Sequence, residues 1–164
     1  MILVDIRPLS HIEKIHGSEV YDRFIEKVGR MLLDLRGKAL RKTDTVAVSG
    51  EHGEQFMVFL SEKREAHPLK QEDLEIVADK VHLALLSSIF ELTPEYTHET
   101  PKLSVGFAAA IQNSMLRPER VLYRLIGEAQ MMAQYQSFRF GTKSKEKLRS
   151  LIHDGTINTV FQPI

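Results

Sequence analysis

The apolar positions change period along the chain, and each change marks an element. Ile2-Leu3-Val4 is an unbroken apolar run that Asp5 interrupts and Pro8 stops. Met1 to Ile6 is therefore predicted as a buried strand with an acidic residue near its C-terminal end. From Ser18 to Leu40 the residues Val20, Phe24, Ile25, Val28, Met31, Leu32 and Leu35 fall three and four apart. That spacing predicts an amphipathic helix with Ser18 as N-cap, Glu19 in its first turn and Gly17 at a bend before it. Thr45 to Ser49 and Gln55 to Leu60 flank Gly50-Glu51-His52-Gly53-Glu54 and predict a β-hairpin. A second helix is predicted over Leu74 to Phe90, and a polar loop over Glu91 to Thr100. Leu103, Val105, Phe107, Ala109 and Ile111 alternate with small residues, predicting a strand whose faces meet different environments. Arg117 to Tyr135 is a third helix, with Pro118 suited to its first turn. The order β-α-β-β-α-β-α predicts an α+β or α/β fold, a mixed central sheet flanked by helices.

The tail differs. Lys143 to Arg149 is charged and reads as a linker or short helix, and Thr156 to Ile164 reads as a new strand with no element to follow. The expectation is the opening of a second domain.

Composition narrows the function classes. The 164 residues are 43% hydrophobic and 27% charged, as in a globular chain with a core. Lys plus Arg and Asp plus Glu number 22 each, so no net field favours nucleic acid or an anionic membrane. Without cysteine there is no disulfide, thiolate zinc site or thiol nucleophile. Apolar runs such as Leu83 to Leu86 are too short to span a bilayer, and the N-terminus lacks the basic start of a signal peptide. A cytoplasmic segment is expected, whether or not its parent carries a membrane anchor. His11 and His16 miss the one-turn spacing of a helical metal pair, and His52 is expected at a solvated loop tip. Met115, Met131 and Met132 are expected as core filler. Gly-rich nucleotide loops and a nucleophile elbow are not visible.

With the hairpin placed, element order and spacing over Met1 to Phe140 resemble the GGDEF (diguanylate cyclase) family, whose fold is of the nucleotidyl-cyclase type. Asp5, Ile6, Ile12, Gly17 and Asp22 stand at the family's spacings, and the signature turn is matched only at its ends by Gly50 to Phe56, two residues longer. Leu148, Leu151 and Ile152 with Val160-Phe161-Gln162-Pro163-Ile164 are similar to the opening of the EAL phosphodiesterase family. The two resemblances together imply a GGDEF-like domain over residues 1–141, a linker helix over 142–155 and the start of an EAL domain over 156–164.

The resemblance also implies a chemistry to look for. Diguanylate cyclases hold GTP with Mg²⁺, and Asp5 with the Ile6 carbonyl match two of the metal positions; Glu51 or Glu54 would stand near the third. The guanine contacts fall at Glu13 and Asp22, and a carboxylate at 13 cannot donate to guanine. The late phosphate-binding Lys and Arg fall at Gln134 and Phe138, with Ala129 and Ala133 keeping register. Arg41 and Asp44 match the family's inhibitory site for cyclic di-GMP, with Lys80 in the place of a further arginine. The bland alternative for this pair is that Asp44 simply opens a strand.

The resulting expectation is a catalytically inactive, regulatory GGDEF-like domain of a cyclic di-GMP signalling protein. It would control its own EAL domain by docking on it or by binding a guanine nucleotide, cyclic di-GMP or GTP. Glu51 and Glu54 would then be vestigial; the rivals are an active cyclase with a divergent turn, using Asp5 and Glu54 as metal ligands, and a ligand-free dimerisation scaffold.

Overall fold

A computed structural model describes residues 1–49, 53–61, 70–97, 101–110 and 115–153, without the side chains of Ser49 and of 137–153. The chain forms β1 (Ile2–Asp5), a 3-10 turn (Arg7–Leu9), α1 (His11–His16) and α2 (Ser18–Asp34). The hairpin β2 (Thr45–Ser49) and β3 (Gln55–Phe59) follows, then α3 (Gln71–Leu92), a second 3-10 turn (Thr93–Glu95), β4 (Ser104–Phe107) and α4 (Pro118–His153).

The sheet order is β2-β3-β1-β4, and all three pairings are antiparallel. β1 and β2 thus run the same way with β3 between them, and β3 and β4 with β1 between them. These are two interleaved split β-α-β units. The apolar run of β1 follows from its central position, since both of its faces are covered. Ile2 and Val4 lie level with Val58 and Phe56 on one side and with Phe107 and Val105 on the other. This face packs on Phe24, Val28 and Leu32 of α2 and on Leu74, Val81, Leu85 and Ile89 of α3. Burying each such side chain contributes about 1.5–3 kcal/mol.

Leu3 points the other way, with Met57 as its cross-strand neighbour and Ala129 of α4 in the same cluster. α4 lies unusually close to the sheet because Gly106 has no side chain. A Cβ there would stand 1.9 Å from the Ala129 carbonyl oxygen and 2.6 Å from the Ala133 nitrogen. The molecule has three layers, α2 and α3 on one face of the sheet and α4 on the other.

Several elements depart from the sequence expectation. The sheet is wholly antiparallel, not mixed. The first crossover holds two helices, because Pro8 opens a 3-10 turn that feeds α1, and Gly17 at φ +85° separates α1 from α2. Ser18 is the first residue of α2; Gly17 holds the N-cap position. α2 stops at Asp34, six residues before Leu40, where Gly37 at φ +85° donates its N–H to the Leu40 carbonyl and folds the chain back. α3 starts at Gln71, and Asp73 in its first turn accepts from the Lys70 N–H at 3.1 Å. β4 is shorter than expected and buried along its length, since α4 covers the face expected to be different. Met115 and Met131 are exposed, not core; α4 meets the sheet through Ala129 and Ala133, and Met131 points away. Met132 packs against the main core as expected. α4 runs unbroken to His153, joining the expected third helix and the expected linker helix into one. Residues 154–164, with the expected terminal strand, lie outside the described residues.

Candidate functional site

The C-terminal end of β1 gathers the polar side chains of the sheet. By strand alternation Asp5 shares the α4 face with Leu3, and its cross-strand neighbour is Gln55. Its carboxylate is buried and fully engaged. Oδ1 accepts the Arg7 backbone N–H at 3.0 Å and Arg7 Nε at 2.9 Å. Oδ2 accepts Arg7 Nε at 2.9 Å, Arg7 Nη2 at 2.5 Å and Gln55 Nε2 at 3.2 Å. Gln55 Oε1 in turn accepts from Gln130 Nε2 of α4 at 3.1 Å. A continuous hydrogen-bonded chain therefore runs from Arg7 through Asp5 and Gln55 to α4. The Asp5 hydrogen bond, ahead of the attraction of Asp5 and Glu54, raises the Arg7 pKa and keeps the guanidinium charged.

On the α2 side Tyr21 donates its hydroxyl to Glu54 Oε1 at 2.9 Å, and the Glu54 carbonyl accepts the Ile6 N–H at 3.0 Å. Burial raises the Tyr21 pKa, reinforced by the Glu54 hydrogen bond and by the negative charges of Glu54, Glu13 and Asp5. Three carboxylates thus act on Tyr21, with Arg7 as the cation among them. Glu13 is exposed and accepts from Ser18 Oγ at 2.9 Å, tying the start of α2 to α1. Asp22 lies exposed on α2.

The fold thus brings together Asp5, Glu54 and Glu13, all of them expected at the site. Glu51 lies outside the described residues. Arg7, Tyr21, Gln55 and Gln130 were not singled out by sequence reasoning. Arg7 stands two residues after Asp5 and offered a signal; Gln55 and Gln130 depend on sheet register and helix placement.

Mg²⁺ does not fit this arrangement. The Asp5 oxygens are covered by a guanidinium fork. A metal would have to displace an ion pair from a buried carboxylate. Among the described residues no group of three His, Asp or Glu side chains is placed to hold a metal ion.

At the second expected site Arg41 and Asp44 are engaged in the hairpin. Asp44 is 2% exposed, and its Oδ2 accepts the Arg41 N–H at 2.7 Å. Its Oδ1 accepts the Ser61 N–H at 2.9 Å and Ser61 Oγ at 3.0 Å. Arg41 Nη1 donates to the Ser61 carbonyl at 2.7 Å, and the Thr43 and Ser61 hydroxyls meet at 2.6 Å. Arg41 and Asp44 clasp the end of β3 to the start of β2. Lys80 is exposed on α3.

No protein-family model matches this chain, and neither a curated protein nor a solved structure does.

Proposed function

We propose that this chain is a GGDEF-like regulatory domain without cyclase activity, acting on an EAL domain that begins near Thr156. The observation that carries the reading is the Arg7 fork on Asp5, which puts a fixed cation where a cyclase needs a metal. Arg7 spends Nε and Nη2 on the carboxylate, so the oxygens that a metal would bind are already occupied. The surrounding carboxylates, Glu13 and Glu54, further disfavour a polyanion.

Docking supports the regulation better than nucleotide capture does. A nucleotide at Arg41 and Asp44 would have to break four hydrogen bonds that hold the hairpin, three of them to a buried carboxylate. The continuous helix α4 offers the mechanical route. It packs on β4 through Ala129 and Ala133 and is tied to the Arg7–Asp5 cluster through Gln130. It then carries the chain to His153, next to the proposed domain start.

The test is incubation with GTP and Mg²⁺ or Mn²⁺, with products separated by chromatography, for the native chain and for Arg7→Ala. Neither is expected to form cyclic di-GMP. Product from the native chain would establish the active-cyclase reading instead.

A further inference from the structure

Gln55 opens β3 level with Asp5 and is 7% exposed. An amide buried this far needs partners at both ends, and the fold supplies one on each side. Its Nε2 donates to Asp5 Oδ2 at 3.2 Å, and its Oε1 accepts from Gln130 Nε2 at 3.1 Å. The order is dictated by chemistry. The Asp5 carboxylate, paired with Arg7, accepts and does not donate, so Gln55 must turn its NH₂ towards β1. Its carbonyl oxygen is then left facing α4, where only a donor fits. Gln130 meets that demand with its own NH₂.

The place of Gln130 on α4 matters as much as the order of donors. It follows Ala129, whose carbonyl oxygen lies 1.9 Å from where a Gly106 Cβ would stand, and Ala133 meets the same glycine one turn on. Alanine on glycine permits a close approach but offers little relief to stop a helix from turning or sliding. Polar groups paired within a contact are best known for fixing register. We propose that Gln55 and Gln130 form a directional latch that sets the seat of α4 on the sheet and makes it answer to Asp5. Both glutamines are positioning residues. The inference deepens the regulatory reading by naming the contact through which the end of β1 acts on α4. Its test involves neither a nucleotide nor an EAL domain, so the latch and that reading can fail separately.

Hydrogen exchange of the whole chain, followed peptide by peptide, reads the latch at α4 with α3 as the internal reference. Three substitutions at the half-buried position 130 keep a long, helix-favouring side chain and change what it offers. Gln130→Lys still donates, Gln130→Met does neither, and Gln130→Glu only accepts. Exchange of the α4 amides around Ala129 to Ala133 is expected to stay near native in Gln130→Lys. In Gln130→Met it should speed up by about fivefold, the worth of one net hydrogen bond, and further in Gln130→Glu. Asp5→Ala frees the Gln55 amide to turn over, so in that background the excess effect of Gln130→Glu over Gln130→Met should vanish. Equal exchange in Gln130→Met and the native chain would overturn the proposal. So would an acceleration shared by α3, which is a loss of overall stability, or an excess effect of Gln130→Glu that Asp5→Ala leaves unchanged. The comparison at position 130 decides the matter by itself if Asp5→Ala does not fold.

Discussion

Arg7 and Asp5 show how one side chain decides the chemistry of a site. Asp5 was legible as an acidic residue at a strand end, but its partners were not. A carboxylate at this position reads equally as a metal ligand or as the acceptor of a local ion pair, and only the 3-10 turn after Ile6 turns Arg7 back onto it. Arg7→Ala leaves a buried carboxylate with Gln55 as its remaining side-chain donor, and is expected to cost about 1–3 kcal/mol in urea unfolding. Asp5→Asn should soften that penalty, giving a coupling energy between the two positions in a double-mutant cycle. Tyr21 gives a pH signature. Its pKa is raised in the fold, so above pH 10 the unfolded chain loses the phenol proton while the native protein keeps it. Stability should therefore fall as pH rises beyond 10, and the slope should be shallower in Tyr21→Phe. Asp44→Ala should likewise strip the half-buried Arg41 and Ser61 N–H groups of their acceptor. The expected cost is about 1–3 kcal/mol for each.

Elements were read best where the pattern was local. The hairpin strands were placed within a residue because β-rich runs on both sides of a glycine-containing turn leave few alternatives. The end of α2 was missed because Leu35 and Ala39 continue the apolar spacing, although the chain has already turned at Gly37. Beyond the hairpin, pairing direction and register were not legible. They depend on which strands come to lie side by side, and so the Asp5–Gln55–Gln130 chain was invisible in sequence. The same holds for the meeting of Gly106 with Ala129 and Ala133. Gly106→Ala should lower stability by about 1–3 kcal/mol in chemical denaturation, because a backbone carbonyl cannot step aside as a side chain can.

At the scale of the whole molecule, the sheet is an anchored platform and α4 is the element that leaves it. Helices flanking the sheet were implied by the order of elements, while the continuity of α4 was not, since a third helix ending at Tyr135 and a separate linker helix over 142–155 were expected. A helix of 36 residues spans about 54 Å, long enough to carry a displacement from the sheet to the proposed EAL domain. If α4 is the lever, replacing Lys143 to Arg149 by a Gly/Ser stretch in the longer protein should uncouple the two domains without altering the stability of this one. Among the described residues no helix is long and apolar enough to cross a membrane.

If Arg7 has taken the metal's place on Asp5, titration calorimetry of the chain with GTP, with and without Mg²⁺, should show no metal-dependent heat at protein concentrations able to detect micromolar affinity. Magnesium-dependent GTP binding that disappears in Asp5→Ala would contradict it and restore the end of β1 as a nucleotide–metal site.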